Sequence, residues 1–163
     1  MTAANVYLLR QNRTLQATRE GRAEEVPVGK VVADINGVDM ADKPVSLTLS
    51  QRKATVLMIY SPTCPFCRRN WPTWTTLIDK QQNNPDVDIA VIDMTATATP
   101  EFITREHVGR AHIIHKLDPR DAIALNLNFV PQTIVIGSDS RVKGVWTGVL
   151  SQENIQQIAR LLL

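Results

Sequence analysis

The sequence predicts an α/β sandwich in which helices flank a mixed β-sheet. Two runs rich in apolar and β-branched residues, Thr55–Tyr60 and Asp88–Met94, predict strands buried on both faces. Segments with helical spacing of apolar residues follow them along the chain. Thr133–Gly137 and Arg141–Thr147 lie close together near the carboxyl terminus and favour an antiparallel hairpin. Strands that alternate with helices are typical of the α/β class.

Length and composition fit one globular domain. The 163 residues are 44% apolar and 21% charged, which allows one sizeable core. A net charge of +2 argues against nucleic acid as a partner. No apolar run is long enough to cross a membrane, and no signal-peptide core is found. We expect residues 1–27 to form an N-terminal arm or a juxtamembrane leader, compatible with a membrane anchor in a full-length form, and residues 28–163 to form the domain.

The amino-terminal half of the domain contains a turn signal and an amphipathic pattern. Val31–Ile35, Asn36-Gly37 and Val38 predict a short hairpin, because Asn-Gly supplies the positive φ angles of a tight turn. From Pro65 to about Gln82 the spacing predicts a helix. Its buried face would carry Cys67, Trp71, Trp74 and Ile78.

Further elements follow in the second half. Pro100–Val108 predicts a helix that begins with proline, and His112–Leu117 a short strand. Asp118 is a typical N-cap for a helix that runs to about Leu127, and Ser151 for the last helix. The last helix would bury Ile155, Ile158, Ala159 and Leu162.

The two cysteines, Cys64 and Cys67, carry the strongest chemical signal. They form a Cys-x-x-Cys pair where a buried strand meets a helix. At a helix N-terminus, unpaired N–H groups and the macrodipole favour the thiolate form of the first cysteine. The second lies one turn later, beside the buried tryptophans. The pattern predicts that Cys64 attacks a substrate disulfide and that Cys67 resolves the mixed disulfide.

The cysteine pair has two alternative interpretations, a structural zinc site and a pair of inert buried cysteines. A structural zinc site needs four ligands, and only His107, His112 and His115 are available to complete one. His112 and His115 on one strand would point to opposite faces, which argues against joint ligation. Buried, inert cysteines are a further alternative. We expect neither a metal nor a cofactor.

From about Val28 to Leu162 the chain resembles the thioredoxin superfamily, and most closely its TlpA/ResA-like extracytoplasmic thiol–disulfide oxidoreductases. The resemblance rests on the strand that leads into Cys64-Pro65-Phe66-Cys67 and on Pro72, five residues after Cys67. It rests also on Val130-Pro131-Gln132-Thr133, which is similar to the cis-proline loop, and on the terminal hairpin and helix. The segment between Asp93 and Asp118 is similar to the helix–strand insertion of that branch.

The resemblance implies a thioredoxin fold with an N-terminal hairpin and a central helix–strand insertion. It also implies a cis bond at Val130-Pro131, which leaves the Val130 backbone free to pair with an extended substrate. We expect Thr63, Pro65 and Phe66, which border the cysteines, to contribute to substrate binding. The implied partners are protein thiols or disulfides and a redox donor or acceptor protein. The implied compartment is the periplasm or the outer face of a membrane.

The chain departs from the family pattern at three positions. Thr63 stands where tryptophan is common, Met58 where many thioredoxins carry a buried acid, and Asn70 where TlpA/ResA-like proteins commonly have glutamate. Both carboxylates that relatives use to deprotonate the resolving cysteine are therefore missing. The sequence offers no replacement.

Two other functions stay open at this point. Peroxiredoxins carry Ser or Thr three residues before the reactive cysteine, and Ser61 occupies that position relative to Cys64. They also carry proline four residues before that Ser or Thr, where this chain has Leu57. A copper-binding metallochaperone with the same fold would need a third ligand, for which His107 and His112 are the candidates. Such proteins usually have a wider cysteine spacing. Disulfide exchange is the preferred hypothesis.

Overall fold

The computed structural model describes residues 24–108 and 111–163. The predicted arm, residues 1–27, lies outside this range except for its last four residues. One of these, Val26, is buried in the same cluster as Val32 and Leu125. Over these two ranges, no helix has both the length and the hydrophobicity needed to cross a membrane.

The described ranges contain eight strands and four α-helices. The strands are β1 (Ile35–Val38), β2 (Pro44–Leu47), β3 (Ala54–Tyr60), β4 (Val87–Asp93), β5 (His112–Ile114), β6 (Lys116–Leu117), β7 (Gln132–Gly137) and β8 (Val142–Thr147). The helices are α1 (Pro65–Gln81), α2 (Pro100–Arg105), α3 (Pro119–Ala124) and α4 (Gln152–Leu161). A short 3-10 helix spans Leu49–Gln51.

The strands form two sheets. The central sheet has the order β5-β4-β3-β7-β8, in which β3 and β4 are parallel and β7 runs antiparallel to β3. β5 is parallel to β4, and β8 is antiparallel to β7. The smaller sheet has the order β2-β1-β6 and is antiparallel throughout. The mixed sheet flanked by helices confirms the predicted fold class.

The central strand β3 divides the core into two layers. Val56, Met58 and Tyr60 face a cluster that includes residues of α1, α2 and α4, whereas Leu57 and Ile59 face the opposite cluster. The opposite cluster contains residues of β1 and β2 and the residues that follow α3. This alternation is the two-residue period of a strand that is covered on both sides.

The N-terminal hairpin exists, but its predicted turn is wrong. Asn36 and Gly37 lie inside β1, and the turn is formed by residues 39–43, where the Asp39 carboxylate accepts N–H groups of Ala41 and Lys43 at 2.7 and 3.0 Å. These bonds hold the pKa of Asp39 below its ordinary value, with the Lys43 N–H contributing most. Gly37 instead allows β1 and β6 to approach closely, because a Cβ there would lie 2.5 Å from the carbonyl oxygen of Lys116 in β6.

Three other predicted elements are shorter than expected. The predicted strand His112–Leu117 is divided at His115, because β5 pairs with β4 in the central sheet whereas β6 pairs with β1 in the smaller one. The helix predicted to reach Val108 ends at Arg105, and α3 ends at Ala124 rather than near Leu127. Left-handed backbone at His107 (φ 55°) and Asn126 (φ 50°) stops both helices.

The last helix begins as predicted but buries fewer residues. Ser151 caps α4, where its hydroxyl accepts the Asn154 N–H and the Asn154 side chain accepts the Ser151 N–H. Ile158 and Leu162 are buried and Ile155 is half-buried. Ala159 is exposed, contrary to the prediction, and lines an open groove between α1 and α4.

We expect Gly37→Ala to destabilise the domain by about 1–3 kcal/mol, because the new methyl group meets backbone of β6 that cannot rotate away. The free energy of unfolding would be measured by urea denaturation. Lys43→Ala, in the exposed turn of the same hairpin, is the matched control and should change stability by about 0.5 kcal/mol or less. Equal effects of the two substitutions would contradict the close-approach argument.

Candidate active site

The end of β3 delivers Cys64 to the start of α1. Cys64 is the N-cap residue of α1, with extended backbone (φ −77°, ψ 118°), and Pro65 begins the helix. The Cys64 N–H donates to the carbonyl of Ser61 at 3.1 Å, which closes the turn between strand and helix. Proline fits the first helical position because it has no N–H to leave unpaired.

The sulfur of Cys64 lies among polar backbone groups. Its Sγ accepts the N–H of Cys67 at 3.3 Å and lies 3.7 Å from the carbonyl oxygen of Val130. The side chain is half-buried, so a substrate can reach it. Backbone N–H groups at a helix N-terminus favour a negative charge on the group that caps it.

Cys67 has a different environment. It is only 1% exposed and belongs to the same cluster as Tyr60, Trp71 and Trp74. Burial, followed by the interaction with the Cys64 thiol, raises the pKa of Cys67 to about 12. Both cysteines are free thiols in this structure. The pair therefore consists of one accessible thiol and one buried thiol that stays protonated at neutral pH.

The loop before β7 forms a wall beside Cys64. The Val130–Pro131 peptide bond is cis, and Pro131 is buried. Because β7 is antiparallel to β3, with Gln132 opposite Ile59, the start of β7 lies next to the end of β3. The Pro131 carbonyl accepts the N–H of Gly148 at 2.8 Å.

The other predicted substrate-binding residues border Cys64 in sequence and are exposed. Thr63 places its hydroxyl 3.2 Å from that of Ser61. Pro65 is exposed in the first turn of α1, and the Phe66 ring is 54% exposed. An exposed aromatic ring beside a reactive thiol gives this end of the domain an apolar surface.

Asn70 has a structural role that its sequence context did not predict. This side chain is fully buried and hydrogen-bonds to backbone groups of Gly148 and Leu150, after β8. The available signal was its position on the helix face that carries Cys67, Trp71 and Trp74. A polar residue on an apolar face indicates a buried hydrogen bond. Met58, at the other position where relatives carry an acid, is fully buried in β3.

Two of the three histidines face carboxylates. His112 Nε2 is 3.6 Å from Asp88, and His115 Nδ1 is 3.6 Å from the buried Asp93. His107 follows α2 with left-handed backbone. In residues 24–108 and 111–163, no three His, Cys, Asp or Glu side chains come together as a metal site would require.

The sequence was compared with family models and with curated proteins, and no match was found in either comparison. Solved structures do match. StoA from Bacillus subtilis aligns with a TM-score of 0.60 at 13% identity, over 82% of this chain and 100% of StoA. A thiol:disulfide interchange protein from Bacteroides sp. aligns with a TM-score of 0.62 at 15% identity, over 84% of this chain and 91% of the other.

A peroxiredoxin-like protein from Aquifex aeolicus is similar to the same extent. Its TM-score is 0.65 at 14% identity, over 85% of this chain and 89% of that protein. At these identities the likeness speaks for architecture, and thiol–disulfide oxidoreductases and a peroxiredoxin-like protein share it. The chain has the thioredoxin fold, with its cysteine pair at the junction of the central strand and the first helix.

Proposed function

We propose that this chain is a thiol–disulfide oxidoreductase that uses Cys64 and Cys67 as its redox-active pair. The observation that carries the proposal is the asymmetry of the two thiols. Cys64 caps α1 and is open to a substrate, whereas Cys67 is 1% exposed and one helical turn away. The Cys67 N–H points at the Cys64 sulfur, at 3.3 Å. Two such thiols suit sequential attack, first on a substrate and then on each other.

In the first step the Cys64 thiolate attacks one sulfur of a substrate disulfide. The substrate S–S bond breaks, a Cys64–substrate disulfide forms, and the other substrate sulfur leaves as a thiolate. In the second step Cys67 loses its proton and attacks the Cys64 sulfur. The mixed disulfide breaks, the second substrate sulfur is released, and a Cys64–Cys67 disulfide remains. The substrate gains the two electrons that the cysteine pair loses.

The proton of Cys67 needs an acceptor in the second step. Burial raises the pKa of Cys67 to about 12, so the thiol does not ionise unaided at neutral pH. The thiolate released from the substrate in the first step is a base formed beside it. We propose that this thiolate takes the proton and becomes a thiol. The second substrate sulfur leaves as a thiolate in the resolving step and takes its proton from solvent, so the substrate ends as two thiols.

The shape of the site supports a polypeptide substrate. The backbone of Val130 lies next to Cys64, with its carbonyl oxygen 3.7 Å from the sulfur, and Phe66 adds an exposed apolar ring. We propose that Val130, Pro131, Thr63, Pro65 and Phe66 contact the chain around the substrate cysteine. The TlpA/ResA-like features of the sequence support an extracytoplasmic location and a redox donor or acceptor protein as partner. These features and the likeness to a thiol:disulfide interchange protein support protein thiols or disulfides as substrates.

A peroxidase is the second candidate, because a peroxiredoxin-like protein has a similar fold. Peroxide reduction would oxidise Cys64 to a sulfenic acid, which Cys67 would then convert to the same disulfide. Leu57, buried in β3, stands where the peroxiredoxin pattern requires proline. Efficient consumption of hydrogen peroxide, together with slow exchange with disulfides, would favour this candidate over the first.

Cys67→Ser should accumulate a mixed disulfide between Cys64 and a peptide disulfide, because the resolving thiol is absent. The adduct would be detected by non-reducing electrophoresis and mass spectrometry. Cys64→Ser is the matched control and should form little adduct, because the remaining thiol is buried. If Cys64→Ser trapped the peptide and Cys67→Ser did not, the roles of the two cysteines would be reversed.

The thiol of Cys67 should ionise only in strongly alkaline solution. In Cys64→Ser the contribution of the Cys64 thiol is lost but burial, the largest cause of the raised pKa, remains, so thiolate absorbance should appear at a pH above the ordinary value of 9.0. The Cys64→Ser, Cys67→Ser double variant supplies the absorbance of all other groups. Circular dichroism identifies the pH range in which the protein is folded. Ionisation near 9.0 within that range would show that Cys67 is not shielded.

A further inference from the structure

Asn70 joins the helix that carries the cysteines to the segment that follows β8. It lies three residues after Cys67, is fully buried, and uses both polar atoms of its amide. Nδ2 donates to the carbonyl of Gly148 at 3.0 Å, and Oδ1 accepts the N–H of Leu150 at 2.9 Å. An amide can do both because it has a donor and an acceptor.

Gly148 is held from a second side. Its N–H donates to the carbonyl of Pro131 at 2.8 Å, while its own carbonyl accepts Asn70. The residue has a left-handed backbone, with φ of 92°, which suits glycine. The bonds through Gly148 therefore form a continuous path from α1 to the loop beside Cys64. We call the three residues Asn70, Gly148 and Pro131 the amide bridge.

We propose that Asn70 is a positioning residue, which through the amide bridge fixes the Val130–Pro131 backbone relative to Cys64. The inference rests on the proposed function and deepens it, because it separates two substrate classes. A polypeptide disulfide lies against the Val130–Pro131 backbone while Cys64 attacks it. A small aromatic disulfide needs only access to the Cys64 sulfur, without contact with that backbone. Displacing the wall should therefore slow reaction with the first class and spare the second.

A second link between α1 and β7 does not replace the bridge. Trp74 Nε1 donates to the Thr133 hydroxyl at 3.0 Å, inside the core and one turn of α1 further from the cysteines. That bond holds the body of β7, whereas Gly148 bonds to Pro131 itself. Loss of Asn70 would thus leave β7 in place and release the corner at Gly148, the residue that bonds to the Val130–Pro131 loop.

The experiment compares rates of reaction of the reduced protein with a cystine-containing peptide and with a small aromatic disulfide. Asn70→Ala should slow reaction with the peptide about tenfold to a hundredfold, the effect of a reacting geometry displaced by about 1 Å. The rate with the aromatic disulfide should be unchanged. Thr75→Val is the matched control: it removes a bond from the same helix to the Glu106 carbonyl, remote from the bridge, and should alter neither rate.

Equal losses with both disulfides, or the same selective loss in Thr75→Val, would overturn the proposal, and so would unchanged rates in Asn70→Ala.

If Asn70→Ala does not fold, Gly148→Ala strains the same corner from its other side. No atom lies within 4 Å of the added methyl position, so this variant tests backbone strain without a clash. The same selective loss with the peptide supports the bridge, and an unchanged ratio of rates contradicts it.

Amide hydrogen exchange separates this inference from the proposed function. The Gly148 N–H should lose at least about tenfold of its protection in Asn70→Ala, since opening of the corner exposes its bond to Pro131. Thr75→Val should leave that amide protected. Inactivity of the unaltered protein toward both disulfides would refute the proposed function, while loss of Gly148 protection would still support the bridge. Retained protection in Asn70→Ala would refute the bridge.

Discussion

Burial of β3 is the constraint on which the rest of the molecule depends. All seven residues of Ala54–Tyr60 are buried, and the strand pairs with β4 on one side and β7 on the other. Because β7 is antiparallel, its first residues lie beside the last residues of β3. The chain leaves β3 toward Cys64 and enters β7 from Pro131. The pairing alone therefore brings the Cys64 sulfur and the proline loop together at one end of these two strands.

Elements with strong local signals were predictable from the sequence. β3 was predictable because a strand covered on both faces lacks the alternation of polar and apolar residues, and α1 because its buried residues recur with helical spacing. The caps at Asp118 and Ser151 were visible because their side-chain oxygens accept nearby N–H groups of the helix they begin. Each of these signals is contained within a few residues of chain.

Features set by distant contacts were not predictable. Asn36-Gly37 has the local pattern of a turn, but the approach of β6, some eighty residues later, draws Gly37 into a strand. The break at His115 arises because two different sheets compete for neighbouring residues. In the site, Cys64 and Cys67 were predictable because their Cys-x-x-Cys spacing is visible in the sequence. Asn70 does not, because its hydrogen-bond partner Gly148 is 78 residues away.

The side chain at position 70 cannot serve both as a bridge and as a base. Gly148 offers a carbonyl there and Leu150 an N–H, so the side chain must both donate and accept, as an amide does. An ionised carboxylate, the group common in TlpA/ResA-like proteins, accepts hydrogen bonds but cannot donate one. It would leave the half-buried Gly148 carbonyl without the donor that Asn70 supplies.

The choice of amide has a consequence for catalysis. With asparagine in place and Met58 at the other usual acid position, neither position offers Cys67 a carboxylate base. Because burial raises its pKa to about 12, the proposed resolving step needs a base that arrives with the substrate. In the proposed mechanism the thiolate released in the first step is that base. Cys67 would then stay protonated until a disulfide has been attacked, and the residue proposed to fix the Val130–Pro131 wall occupies the position where TlpA/ResA-like proteins commonly carry an acid.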